Sequence, residues 1–237
     1  MTVTRDETSS ILPERRERAI RSYVVRAGRM TDAQRRGLDE DWPAYRLRLA
    51  DGRVNWPDVF GRHGPVVLEI GFGMGDSLLA MAEADPDTDF VGVEVHPPGA
   101  GRLAHGAAQR ELNNLRIYLA DAEDVLDECI PDGSLARVQI YFPDPWPKKK
   151  HHKRRLVQPS LVRRLHAKLV PGGLLHLATD WEPYAEHMLE VLSADTGLVN
   201  LGTPYVERPA FRPATKFERR GERLGHRVLD LLFRRSD

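Results

Sequence analysis

The chain has 237 residues, 41% of them hydrophobic and 30% charged, with 35 Lys and Arg set against 35 Asp and Glu. That length suits one large domain or one domain with an appendage, and the balanced charge leaves any attraction to nucleic acid to local clusters. Cys129 is the single cysteine, which excludes an internal disulfide, and no apolar run approaches the roughly 20 residues that cross a bilayer or the core of a leader peptide, so a cytoplasmic protein is expected.

Residues 1–60 read as an N-terminal extension. Up to about residue 30 it is polar, rich in Arg and Glu, and either partly disordered or ordered on a partner. Short irregular helical pieces then surround Trp42, Pro43, Trp56 and Pro57. Residues 61–237 read as the main domain. VVLEIG, from Val66 to Gly71, is a short buried strand followed by glycines. DSLLAMAEADP is a helix stopped by Pro86, Phe90–Val95 a second strand, and Arg102–Leu112 a second helix. A third strand ends at Asp121 and a short helix follows it. Ser134–Phe142 is a fourth strand. PSLVRRLHAKLVPGG is a helix with Leu161, Leu165 and Leu169 on one stripe, stopped by Pro171-Gly172-Gly173. LLHLATD is a fifth strand, PYAEHMLEVLSA a helix, and two weaker strands are expected near 198–203 and 226–234. This alternation predicts an α/β fold with a mostly parallel sheet and helices on both faces.

Ligands of such sheets gather beyond the carboxyl ends of the strands, and five strand ends in succession carry or abut an acid: Glu69, Glu94, Asp121, Asp144 and Asp180. Gly71, Gly73 and Gly75 lie between the first strand and its helix, where glycine lets a backbone turn tightly and approach a ligand. A dinucleotide and S-adenosylmethionine both use such loops. Glu69 sits inside the turn, repelling a pyrophosphate but suiting a ligand with a sulfonium and an ammonium; this favours S-adenosylmethionine. Glu94 is placed to accept ribose hydroxyls and Asp121 to reach an adenine edge, although each acid alone reads equally as a solvated strand end or a helix cap.

Phe142-Pro143-Asp144-Pro145-Trp146-Pro147 follows the fourth strand. Its prolines fix φ and restrict the residues before them, so Asp144 is expected to be held rigidly and aimed into the site. Lys148, Lys149, Lys150, Lys153, Arg154 and Arg155 come next, a positive patch that fits phosphates of a polyanionic substrate. His151 and His152 lack cysteine partners and sit among cations, so no metal site is expected. A second basic stretch runs from Arg212 to Arg227.

Taken together, EIGFGMG at 69–75, EVH at 94–96, FPDPWPKKKHHKRR at 142–155, ATDWEPYAEHM at 178–188 and RPATKFERRGERLGH at 212–226 resemble the bacterial tRNA (guanine-N7)-methyltransferase family, the TrmB type. The resemblance covers about residues 65–235. It implies a Rossmann-like class I S-adenosylmethionine-dependent methyltransferase with a sheet of seven strands, the last antiparallel. It further implies cofactor contacts at Glu69, Glu94, Asp121 and Asp144, and guanosine or tRNA contacts at Lys148, Asp180 and Thr215, Lys216, Phe217 and Glu218. The implied target is the variable-loop guanine, position 46 in tRNA numbering. Asp144 is then the catalytic candidate, acting by position and electrostatics, with Trp146 and Trp181 either stacking on a base or packing in the core. The runner-up is a class I methyltransferase acting on an exocyclic amine or a small molecule; a tRNA-binding chaperone and a nicotinamide dehydrogenase follow. Both a monomer and a homodimer remain open.

Overall fold

The computed structural model describes residues 21–24, 29–214, 218 and 227–237. Thr31 and Gln34 form a reciprocal capping box, Thr31 Oγ1 accepting from the Gln34 N–H (3.3 Å) and Gln34 Oε1 from the Thr31 N–H (2.8 Å). The box starts helix α1 (Asp32–Arg36), which passes through a π-helical turn (Gly37–Asp41) into α2 (Trp42–Tyr45) and the two-residue strand β1 (Arg46–Leu47). Helix α3 (Trp56–Phe60) ends on Gly61, whose φ of +71° supplies the left-handed stop.

Strands and helices then alternate: β2 (Val66–Ile70), α4 (Asp76–Ala84), β3 (Asp89–Glu94), α5 (Pro97–Gln109), β4 (Leu115–Leu119), α6 (Ala122–Glu128) and β5 (Leu135–Tyr141). A 3-10 turn (Lys149–Arg154) leads to α7 (Pro159–Lys168), β6 (Leu169–Thr179), α8 (Glu182–Ser193), β7 (Leu198–Asn200) and β8 (Leu229–Arg235). One sheet holds all the strands in the order β1-β4-β3-β2-β5-β6-β8-β7. Pairings from β1 to β6 are parallel, and β8 runs antiparallel to both β6 and β7. The chain moves outward from β2 in one direction to β3 and β4, then returns to its other side at β5. The loops after β2 and β5 therefore face each other across a topological switch point, where this architecture opens a crevice.

The period of two along β2 divides the core. Val66, Leu68 and Ile70 pack with Leu126 of α6, Ile130 just after it, Leu161 and Leu165 of α7, and Tyr184 and Met188 of α8. Val67 faces the opposite side, with Leu78 and Met81 of α4, Leu103 of α5 and Tyr45. Leu68 is fully buried, and truncating such a residue to Ala costs about 2–5 kcal/mol.

Three features differ from the sequence reading. The sheet has eight strands, not seven, because β1 adds an edge to β4 through Arg46↔Ile117 and Leu47↔Tyr118. The Pro171-Gly172-Gly173 stop lies inside β6: α7 ends at Lys168, Leu169 already pairs with Leu135, and the glycines fill an irregularity before Leu174 pairs with Arg137. Helix α5 starts at Pro97, not Arg102. Its early glycines are packing devices, since a Cβ on Gly99 would fall 2.0 Å from the Gly73 carbonyl oxygen and one on Gly101 2.2 Å from that of Gln34.

Candidate active site

The turn after β2 is built for a backbone that must stay low. Gly71, Gly73 and Gly75 have φ of +75°, +60° and +76°. A Cβ on Gly71 would meet nothing within 4 Å, so its absence leaves room above the backbone in a solvent-open cleft of about 240 Å³. Gly75 serves packing instead, with Leu103 2.9 Å from where its Cβ would stand. Across the turn, Glu94 at the end of β3 accepts the Gly73 N–H (2.8 Å), the Val95 N–H (2.7 Å) and the His96 N–H (3.1 Å). Burial raises its pKa and these three donors oppose that rise.

Asp121 caps α6 through the Glu123 N–H (3.0 Å) and also accepts from the Tyr23 hydroxyl (3.2 Å). Gly71, Glu94, Asp121 and Asp144 line one cleft, joined by Ser22 and Tyr23 from the N-terminal segment. Glu69 stands apart. The alternation of β2 turns it toward α4, beneath the turn, where it is 3% exposed and accepts from Gln139 Nε2 (2.7 Å). It does not line the cleft. Burial pushes its carboxyl up to about 7, while Gln139 and Arg137 pull the other way.

The Phe142–Pro147 loop closes the cleft opposite the glycines. Phe142 and Trp146 hold φ of +51° and +43°, rare for residues with side chains. Backbone strain of this kind persists only where surroundings enforce it. Phe142 N donates to the Ala178 carbonyl (2.8 Å), Trp146 Nε1 to the Ser22 carbonyl (3.1 Å), and Arg155 Nε to the Pro145 carbonyl (3.0 Å). Asp144 is exposed at the rim of the cleft with no hydrogen-bond partner among the described residues. Lys148, Lys149, Lys150 and Lys153 are exposed immediately beyond it, while the Arg154 guanidinium stacks 4.9 Å from the Trp146 ring centre. An acid-rimmed cleft thus adjoins a ledge of exposed lysines.

A family model described as "Putative methyltransferase" matches residues 63–231. A tRNA (guanine-N(7)-)-methyltransferase of Saccharophagus degradans is 58% identical over 226 residues, covering 94% of this chain and 99% of the relative. One of the same description from Pseudomonas putida is 55% identical over 240 residues, covering 99% of this chain and all of the relative (100%). The chain belongs to the tRNA (guanine-N(7)-)-methyltransferase family. Among solved structures, the 16S rRNA methyltransferase KamB superposes with a TM-score of 0.57 at 19% identity, over 77% of this chain and 93% of that one. A 16S rRNA (adenine(1408)-N(1))-methyltransferase of Catenulisporales acidiphilia gives 0.51 at 20%, over 81% and 92%. At these identities the two structures share the fold.

For a member of this family the remaining candidates fall in three groups. Lys148 and Asp180 are exposed, Asp180 directly after β6, the strand beside β5. Thr215, Lys216 and Phe217 lie outside the described residues. Two candidates need correction as direct contacts. Arg155 is 4% exposed and fastens the loop from within, so it does not belong to the phosphate-facing ledge. Glu218 is buried, with both carboxylate oxygens held by Arg212 (2.7 and 2.8 Å). Sequence reasoning missed Tyr23, which no periodicity marked. It also passed over Gln139, His176 and Asp230, whose signal was a polar residue inside an apolar strand. Among the described residues no cluster of three or more metal-binding side chains is present, and no helix is long and apolar enough to cross a membrane.

Proposed function

We propose that the chain transfers the methyl group of S-adenosylmethionine to N7 of guanine in tRNA, at the variable-loop guanine of position 46, and that it does so in the cytoplasm. The observation that carries this reading is the place of Asp144: it lines the acid-rimmed cleft and stands next to the exposed lysines that begin at Lys148.

The residues fit the donor. Space above Gly71 admits a ligand against the backbone, and a rim of Glu94, Asp121 and Asp144 favours a cationic one. S-adenosylmethionine, when bound, supplies an electrophilic methyl on a sulfonium. Glu94, oriented by three backbone N–H groups, would accept from one ribose hydroxyl with its remaining lone pair. Asp121, tied to Tyr23, takes the adenine edge.

Guanine N7 carries a free in-plane lone pair, so no base has to remove a proton before attack. The work left to the protein is alignment and stabilisation of the positive charge that develops on the purine. Asp144 accepts hydrogen bonds from the guanine edge and opposes that charge, an effect that grows toward the transition state. Asp180 assists from the neighbouring strand end. Trp181, 41% exposed, offers a face for stacking on the extruded base, whereas the Trp146 ring is already engaged by Arg154 and His151. Lys148, Lys149, Lys150 and Lys153 hold phosphates.

Nucleoside analysis of the methylated product tests the reading. The expected product is 7-methylguanosine. A guanosine methylated on its exocyclic amine overturns the reading in favour of an amine methyltransferase, the alternative raised by the Asp144-Pro145-Trp146 sequence.

A further inference from the structure

A buried polar chain runs under the sheet from the glycine turn to β8, and the chemistry above does not use it. Glu69 accepts from Gln139 Nε2 (2.7 Å), and Gln139 Oε1 accepts from the Tyr141 hydroxyl (3.2 Å) and Arg137 Nε (3.1 Å). The Tyr141 oxygen lies 2.9 Å from His176 Nδ1, and His176 Nε2 lies 2.8 Å from Asp230 Oδ1. The chain ends in a triad. Arg212 donates to Asp230 from Nε and Nη2 (2.8 and 2.9 Å) and to Glu218 from Nη1 and Nη2 (2.7 and 2.8 Å). All three members are buried, Arg212 at 2% exposure.

Stability is a poor reason for such a triad, because well-packed apolar side chains often replace buried ion groups without loss. Geometry offers a better one. The same guanidinium carbon lies 5.8 Å from the Tyr141 ring centre and 5.9 Å from that of Phe142. Phe142 is the positive-φ residue at the root of the loop carrying Asp144. Its conformation needs enforcement from outside, and Arg212 is a rigid planar group anchored at both ends by carboxylates.

We propose that Arg212 is a positioning residue for methyl transfer: clamped between Glu218 and Asp230, it braces the ring of Phe142 and so sets where Asp144 stands. The inference rests on the reading of Asp144 given under Proposed function. Lysine keeps the charge at this position but has one nitrogen, which cannot span both acids or lie flat against the ring.

The test is Arg212→Lys in the full chain, with S-adenosylmethionine affinity and the single-turnover rate at saturating tRNA measured side by side. Cofactor affinity is expected to stay within about two-fold while the rate falls on the order of 10- to 100-fold, the scale of a small misplacement. A wild-type rate overturns the inference, as does an equal loss of cofactor affinity, which would mean general collapse of the site. Combining Arg212→Lys with Asp144→Asn separates the two readings. If Arg212 acts through Asp144, the double variant is no slower than Asp144→Asn alone, and multiplied losses overturn the inference. An Asp144→Asn variant at full rate instead breaks the reading of Asp144 itself. Where Arg212→Lys lowers the melting temperature too far for assay, Asp230→Asn loosens one side of the clamp and keeps the pair with Glu218. The same selective loss of rate is expected there, and an unchanged rate overturns the inference.

Discussion

The Tyr23 hydroxyl donates to Asp121 Oδ2 across 3.2 Å. One residue earlier, the Ser22 carbonyl accepts from Trp146 Nε1 across 3.1 Å. A short piece of the N-terminal segment therefore touches both Asp121 and the proline-locked loop. Burial and the negative charge of Asp121 raise the Tyr23 pKa, which keeps the hydroxyl a donor. Tyr23→Phe is expected to weaken S-adenosylmethionine binding roughly five-fold, the worth of about 1 kcal/mol for one net hydrogen bond, with a melting temperature lowered by no more than about 4 °C. Calorimetric titration reads this directly, and an unaltered affinity makes the contact incidental.

Asp144 is exposed and makes no hydrogen bond within the described residues, so Asp144→Asn leaves the fold untouched. Its single-turnover rate with saturating tRNA is expected to fall on the order of 100- to 1,000-fold, as when one preorganised electrostatic partner is removed. A full rate would show that charge at this position does not act in the transition state.

The lysine ledge and Arg155 separate by salt dependence. Replacing Lys149 and Lys150 by Ala should reduce the slope of log affinity for tRNA against log salt by roughly 0.7–0.9 for each phosphate that is no longer neutralised. Arg155→Ala should leave that slope alone and lower the melting temperature. It strips the Pro145 carbonyl of its donor, at a cost of about 1–3 kcal/mol. A smaller salt slope in Arg155→Ala would return that residue to the phosphate-binding surface.

The contrast between Lys149 and Arg155 shows where sequence is legible and where it is not. Strands such as Val66–Ile70 announce themselves, because a buried parallel strand must be a short apolar run bounded by turns, and the glycine turn after it carries its own backbone requirement. Charge density at 148–155 is equally visible, but which cation turns inward depends on the Pro145 carbonyl and the Tyr184 ring arriving from elsewhere in the fold. Strand β1 has two residues, too few for any period to register. Glycines 99 and 101 read as helix breakers until Gly73 and Gln34 come to lie against them. The Arg212 triad joins Glu218 and Asp230 through tertiary contact alone, so only the polar residues in apolar strands hinted at it.

Glu69 gives the molecule a pH dependence of known sign. Burial, the largest cause, raises its carboxyl from the ordinary 4.5 to about 7. The unfolded chain then loses this proton at lower pH than the folded one, so stability falls as pH rises from about 4.5 to about 7 and levels off above. The span corresponds to roughly 3 kcal/mol. Glu69→Gln keeps an acceptor for Gln139 and has no proton to lose. Its melting temperature relative to the parent should therefore climb across that interval and hold steady beyond it. A cationic ligand favours the ionised carboxyl, so cofactor binding near pH 6 should release protons, measurable as a dependence of binding heat on the buffer's ionisation enthalpy. A flat difference between Glu69→Gln and the parent across the interval would mean that Glu69 titrates normally.

The most direct measurement uses two unmodified tRNA transcripts, identical except for guanine or adenine at position 46, incubated with methyl-labelled S-adenosylmethionine and the full chain. About one label per molecule is expected in the guanine transcript, recovered as 7-methylguanosine from the variable loop, with essentially none in the adenine transcript. Equal labelling of both, or label recovered from another base or atom, contradicts the assignment of this cleft and its lysine ledge to guanine N7.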